Sequence, residues 1–302
     1  MSTTFREMQD DVLRLIALSN DRDAREYVKR RLNDRAEEVW RYYPWRERKS
    51  TAFVNTVLPY STGTVTTNGT TAIVGASTVF PAACADRKFA ISYSEPYYNI
   101  TTRTDGTNLV LERAFLGDDG AAQSYTIYDD VLTLTSMDSL VTNEMTLMYS
   151  GKDRPMSDLT SQGWSDSGHM PRTAAPPTSF RLIENTSTGA PQIQVWPVPD
   201  AVYAIRYRYL TEYTDMKSDG DTCVVPESRR HLIIGGATAD AFKYNEEYSK
   251  FVIEERAFKD GLKDAVKAER ALHPQAVTLR AFNRRSGARG QWGRIAIDWS
   301  SV

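Results

Sequence analysis

The chain has 302 residues, 41% of them hydrophobic, so it is long enough to bury the core of one large domain or two modest ones. Its 37 basic and 39 acidic residues nearly cancel, which excludes a global charge that would favour nucleic acid or an anionic membrane. Cys84 and Cys223 are far apart and form no Cys/His cluster, which argues against a disulfide scaffold and a structural zinc site.

The N-terminal residues predict two amphipathic helices. Thr4 and Glu7 have the spacing of a capping box, and the apolar residues from Phe5 to Ile16 recur on one helical face. A second apolar stripe runs from about residue 23 to residue 43, and Pro44 ends it. No run of about 18 apolar residues follows, and the first eleven residues are polar. We therefore expect a protein made in the cytosol, without a membrane span.

Residues 57–134 predict a small antiparallel β-domain. Turn sequences such as Asn68-Gly69 and Asp105-Gly106 recur at short intervals, and the runs between them are rich in β-branched residues. From residue 135 to 222 more strands alternate with long loops, of which the longest is expected over 152–177. The β-rich character thus extends over the middle of the chain.

Residues 226–272 have the longest helical pattern in the chain. Pro226 occupies a position that suits the first turn, Pro274 follows the end, and Asn245 marks a break between two helices. The apolar stripe is one-sided and needs another apolar face to cover it. The N-terminal helices supply that face, so the two ends of the chain are expected to pack together.

These elements predict an α+β fold. It consists of a helical bundle formed by the N- and C-terminal helices, an inserted antiparallel β-domain and an extended C-terminal tail. The boundaries that follow are 1–56 for the N-terminal helices, 57–134 for the inserted β-domain, 135–222 for the β-rich segment, 223–274 for the C-terminal helices and 275–302 for the tail.

No motif for catalysis, cofactor binding or metal binding is present. His169, His231 and His273 lack partners at a diagnostic spacing. The paired carboxylates at 118–119 and 129–130 lie in or beside predicted turns, where aspartate commonly makes local hydrogen bonds. Gly235-Gly236 lies inside a helix and is interpreted as a close helix contact. The chain is therefore not expected to be an enzyme.

The C-terminal tail carries the predicted partner-binding residues. Over residues 279–294 arginines alternate with aromatic residues and glycines, and no acidic residue occurs. Arginine and tryptophan are enriched at binding hot spots, whereas a tail without a partner would be disordered. The predicted binding residues are Arg280, Phe282, Arg284, Arg285, Arg289, Trp292, Arg294 and Trp299.

The whole arrangement resembles the head-to-tail adaptor proteins of tailed bacteriophages, also called connector, neck or head-completion proteins. The resemblance rests on the N-terminal helical opening, the segment 224–232 (Val-Val-Pro-Glu-Ser-Arg-Arg-His-Leu) with its long helix, and the arginine-bearing tail. The inserted module is similar to small β-domains of phage neck proteins over 63–65, 98–100, 109–111 and 124–127. Many adaptors are smaller and mainly helical, so the size of the β-part departs from the pattern.

The resemblance implies a structural virion protein at the neck, beneath the portal. It implies a ring, usually of twelve copies, that joins the portal protein to tail or further neck proteins, and it leaves open a transient contact with DNA in the channel. Two other classes remain. A tail-fibre or receptor-binding β-protein would explain the insertion but gives the terminal helices no role, and a carbohydrate-active enzyme would need a carboxylate pair on neighbouring strands.

Overall fold

The computed structural model describes residues 3–16, 22–91, 97–159, 174–184, 189–272 and 279–281. The fold is α+β, with long helices and mainly antiparallel sheets, as predicted. The described residues form two compact units. The helical unit contains residues 3–50 and 209–281 where they are described, and the β unit contains residues 51–208 with the same gaps.

Four α-helices lie in the helical unit, at the positions that the apolar periodicity predicts. They are α1 (Phe5–Leu15), α2 (Arg22–Tyr42), α3 (Glu227–Tyr244) and α4 (Tyr248–Leu272). The predicted capping box is present, because the Glu7 amide donates to Thr4 Oγ1 over 3.3 Å and the Thr4 amide donates to Glu7 Oε2 over 2.7 Å. The predicted break at Asn245 separates α3 from α4.

The core of the helical unit is drawn from all four helices and from the segment that precedes α3. Helix α1 contributes Phe5, Met8 and Val12, all of which are almost fully buried. The stripe of α2 and the buried face of α3 pack against the same cluster, together with Phe258 and Leu262 of α4. Burial of these apolar side chains holds the two ends of the chain together.

Sixteen strands occur in the described residues. They are β1 (Lys49–Asn55), β2 (Thr64–Thr67), β3 (Ala72–Ala76), β4 (Lys88–Ala90), β5 (Tyr98–Arg103), β6 (Asn108–Leu111), β7 (Gly120–Gln123), β8 (Thr126–Tyr128), β9 (Val131–Thr133), β10 (Ser139–Tyr149), β11 (Lys152–Pro155), β12 (Ser157–Asp158), β13 (Ser179–Glu184), β14 (Pro191–Trp196), β15 (Ala204–Leu210) and β16 (Leu279–Ala281). The chain passes from one unit to the other inside β1 and returns inside β15.

A seven-stranded sheet forms the first half of the β unit, in the order β7-β2-β3-β6-β5-β4-β8. Strands β7 and β8 stand at opposite ends of this order, yet only Ser124 and Tyr125 separate them in the chain. The sheet must therefore curl until its two ends approach each other. Its interior is filled by apolar side chains such as Ile73, Phe89 and Ile100.

Two smaller sheets contain eight further strands, in the orders β1-β15-β10-β11 and β12-β13-β14-β9. Residues 57–134 and the predicted β-rich segment 135–222 up to residue 208 lie in the β unit where they are described, whereas residues 209–222 belong to the helical unit. The prediction of one strand over 125–134 is wrong, because Asp129 and Asp130 separate β8 from β9. The prediction of a loop over 152–177 is wrong at its start, where β11 and β12 lie.

Among the residues that the structure describes, no helix combines the length and the apolar character needed to cross a membrane.

Candidate interaction surfaces

Helix α2 has two opposite flanks that contact different elements. Residues two positions apart on an α-helix point in nearly opposite directions, because each residue turns the helix by about 100°. Asn33 accepts hydrogen bonds from the Met216 amide and the Tyr213 hydroxyl, both at 3.0 Å. Arg35 instead binds Asp240 of α3 and Glu255 of α4. The segment around Met216 and helix α4 therefore lie on opposite flanks of α2.

Contacts near the start of α2 place α1. Arg25 donates to Asp10 of α1 over 2.8 Å and to Gln9 Oε1 of the same helix over 3.1 Å. Tyr27, two positions later, donates to the Asp240 carbonyl at 2.9 Å. Helix α1 lies on the flank of α2 that also contacts Met216, because it binds residues 219 and 221 of the same segment. Its N-terminal amides at Phe5 and Arg6 bind the carbonyls of Asp221 and Asp219.

We call the solvent side of α4 the basic face. It carries five exposed cations and two exposed carboxylates, a net charge of +3: Lys250, Arg256, Lys259, Lys263, Lys267, Asp260 and Asp264. Asp260 lies within 3.8 Å of Arg256 and 3.5 Å of Lys263, and such exposed pairs contribute little to stability. Val252 and Ile253 are 61% and 66% exposed near the start of the helix, beside the exposed Tyr248. Large apolar side chains held in water are typical of a contact surface.

We call the opposite surface the acidic flank. It is formed by α1 and the segment 215–221, and its six acidic and three basic side chains give a net charge of −3: Glu7, Asp10, Asp11, Asp215, Asp219, Asp221, Arg6, Arg14 and Lys217. Arg25 and Lys29 of α2 also pair with it, at Asp10 and Asp219. Leu15, at the end of α1, is 61% exposed.

Two carboxylates of the acidic flank are held in their charged form by specific donors. Hydrogen bonding from Gln9 lowers the pKa of Asp219, and Arg6 and Lys29 add to the effect. The backbone amides of Ser218 and Lys217 lower the pKa of Asp221. Both groups therefore stay ionised below the usual range for aspartate.

Arg35 holds α2, α3 and α4 together beneath the basic face. Its guanidinium donates to both Asp240 oxygens at 2.7 and 2.8 Å and lies 2.8 Å from Glu255. Burial lowers the pKa of Arg35, but the hydrogen bonds and negative charges of Asp240 and Glu255 more than offset this, so the net pKa is raised. The charged network fixes the position of α4 and so the orientation of the basic face.

Close backbone approach supports the same arrangement. A Cβ at Gly236 would lie 3.1 Å from both Arg35 Cδ and Phe258 Cδ2, which confirms the predicted close contact at this glycine. Gly235 has open space around it, so only one glycine of the pair makes such a contact. A Cβ at Gly261 would approach Leu232 Cδ2 to 2.5 Å, a contact that the sequence pattern did not indicate.

The predicted partner-binding residues of the tail lie almost entirely outside the described residues. Arg280 is in the short strand β16. The other seven, Phe282, Arg284, Arg285, Arg289, Trp292, Arg294 and Trp299, are not described, and the structure therefore leaves their role a prediction.

Of the three histidines, His231 is the one described, and it is exposed on α3. Asp129 accepts from the Val131 amide at 3.0 Å, a local hydrogen bond of the predicted kind. Burial raises the pKa of Asp129, although that amide opposes the shift. Asp130 differs from the prediction, because it forms a buried ion pair with Lys88. Within the described ranges, no three His, Cys, Asp or Glu side chains are grouped as a metal site.

Comparison with family models and curated proteins identifies no relative. No protein-family model matches the chain, and a search of the curated proteins finds no significant similarity. The two described surfaces differ in the sign of their charge, and each carries exposed apolar side chains.

Proposed function

We propose that this chain is a structural virion protein, a head-to-tail adaptor that forms a ring beneath the portal and links it to the tail. The ring is expected to be dodecameric, and the protein is assembled in the host cytoplasm and resides at the neck of the virion. Its partners are other copies of itself, the portal protein and tail or further neck proteins.

The observation that most supports this proposal is the helical unit with its two different flanks. Residues from both ends of the chain share one core, and the basic face and the acidic flank lie on opposite sides of α2. A subunit with two unlike surfaces on opposite sides suits repeated head-to-tail contact, the kind of contact that builds closed rings. In this proposal the helical unit is a bundle, and residues 51–208 are a β-domain inserted into it.

Electron microscopy of the purified full chain, and of the virions that contain it, tests the proposal. We expect rings with twelvefold symmetry in the purified sample and labelled density at the neck when virions are treated with an antibody to the chain. A monomer at all concentrations that also hydrolyses glycans would support the alternative of a carbohydrate-active enzyme. Density confined to a fibre would instead support a receptor-binding protein.

We further propose that residues 275–302 form an extended tail that docks on the portal. Trp292 and Trp299 would act as anchors, and the arginines would pair with carboxylates or carbonyls of the partner. A ring presents many copies of such a segment at once, so weak single contacts add up to stable attachment.

A variant that ends at Pro274 tests this docking role. We expect it to keep the helical circular dichroism of the full chain, because the last of the four described helices ends at Leu272. It should fail to join portal-bearing heads in a reconstitution assay, whereas Trp292→Ala should weaken joining and leave the melting temperature nearly unchanged. Normal head completion by the truncated chain would exclude the tail as the docking element.

A further inference from the structure

The basic face and the acidic flank differ in charge and cannot meet within one copy. They lie on opposite sides of α2, as the contacts of Asn33 and Arg35 establish. The basic face has an excess of three positive charges, and the acidic flank has an excess of three negative charges, of which Arg25 and Lys29 of α2 offset two. Each surface therefore keeps some charge without a complement inside the subunit.

Each surface also carries exposed apolar side chains beside its charges. Val252 and Ile253 lie at the start of α4, and Leu15 lies at the end of α1. Apolar residues bordered by charged ones are typical of a protein interface with an apolar centre and a polar rim. The exposed apolar area at these positions would be removed from water by a matching surface.

We infer that the basic face of one copy binds the acidic flank of the next copy. In this contact the lysines of α4 face the carboxylates of α1 and of segment 215–221, while Val252 and Ile253 pack near Leu15. Because the two surfaces are different, the contact is head-to-tail and repeats from copy to copy. This contact would join neighbouring copies in the proposed adaptor ring, and its biological role rests on that proposed function.

The charges predict how association responds to salt. Complementary potentials speed the encounter of two surfaces and are screened at distances beyond about 8 Å at physiological ionic strength. Ionised carboxylates at Asp219 and Asp221 keep this attraction over the neutral and mildly acidic range. Self-association of the full chain should therefore weaken as sodium chloride is raised.

Charge reversal on each surface, alone and together, tests the contact. Two doubly substituted full-length variants are used: Lys263→Glu with Lys267→Glu on the basic face, and Asp11→Lys with Asp215→Lys on the acidic flank. Sedimentation velocity should show that each variant self-associates about tenfold or more weakly than the native chain. The variant with all four substitutions should recover association, because its reversed surfaces are complementary again.

A matched control separates local contact from net charge. Lys152→Glu with Arg154→Glu changes the net charge by the same amount as the basic-face variant, at exposed positions of β11 in the β unit. This control should associate as the native chain does. All the substituted side chains are at least partly exposed, so circular dichroism melts should confirm that every variant is folded.

Different results would overturn the contact between copies and the adaptor function. Absence of self-association at low salt, equal weakening by the control, or no recovery in the fourfold variant would each overturn the inferred contact. A closed two-fold dimer would overturn it as well. Such a dimer joins the same surface of both copies, whereas the inferred contact joins two different surfaces. Association that follows the charge reversals, in rings that never join portal-bearing heads, would leave the contact standing and remove the adaptor function.

Discussion

Leu232→Asp should unfold the helical unit at room temperature. Leu232 is 5% exposed within the shared core of the four helices, and its Cδ2 lies where a Cβ at Gly261 would approach within 2.5 Å. Loss of a buried leucine costs about 2–5 kcal/mol, and an unpaired carboxylate in the same place costs several more. The total is comparable with the whole stability of a typical domain, roughly 5–15 kcal/mol.

Far-ultraviolet circular dichroism is the measurement, because all four described α-helices lie in this unit. The helical signal of Leu232→Asp should be largely lost before denaturant is added. Leu272→Asp is the matched control, because Leu272 is 71% exposed at the end of α4. This substitution should shift the unfolding midpoint only slightly. A cooperative urea transition of native amplitude in Leu232→Asp would show that α3 is not part of a shared core.

The helices could be predicted because their signals are local. Helix α1 combines a capping box with apolar residues at helical spacing, and Pro226 and Asn245 mark the start and end of α3 within one or two residues. Neither feature depends on contacts far along the chain. The α+β class follows directly from these helices and the turn-rich middle of the chain.

Several strands could not be predicted because their own sequences are poor strand formers. β7 consists of Gly-Ala-Ala-Gln, and β11 of Lys-Asp-Arg-Pro with every residue exposed. Each is held by pairing with a distant or neighbouring strand, β2 for β7 and β10 for β11. Tertiary pairing of this kind overrides weak local propensity.

Only one of the two surfaces of the helical unit, the basic face, can be recognised from the sequence. The polar side of residues 248–272 is apparent from the helical period, and its excess of lysine can be counted. The acidic flank is not apparent, because it joins α1 to a segment about 210 residues later through contacts such as that of Arg6 with Asp219. Only the folded chain places these carboxylates on one surface.

The pair formed by Lys88 and Asp130 was missed for the same reason, and it carries a large expected effect in the β unit. Lys88 Nζ lies 2.6 and 2.8 Å from the two Asp130 oxygens, and both residues are more than nine-tenths buried. Gln194 Nε2 donates to Asp130 Oδ2 at 2.7 Å, while Arg181 donates to the other end of the Gln194 amide. The ion pair thus joins β4 to the connection between β8 and β9 and to β14.

Lys88→Met should lower the free energy of unfolding of the β unit by about 3–5 kcal/mol, because it leaves the Asp130 carboxylate buried with one neutral donor in place of a cation. Methionine retains much of the lysine stem, so little packing is lost. Urea unfolding followed by tryptophan fluorescence measures the loss. Hydrogen exchange of peptides that contain β4, β8 and β14 should show where protection falls.

The double variant Lys88→Met with Asp130→Leu distinguishes an unpaired charge from a simple loss of packing. It removes both charges, so it should recover more than half of the stability that Lys88→Met loses, and the remainder reflects the Gln194 amide left without its acceptor. Lys152→Met, at an exposed position of β11, is the matched control and should change stability by less than about 0.5 kcal/mol. If the double variant is less stable than Lys88→Met, the stabilisation comes from Asp130 and its hydrogen bonds, and the ion pair is not what holds these strands.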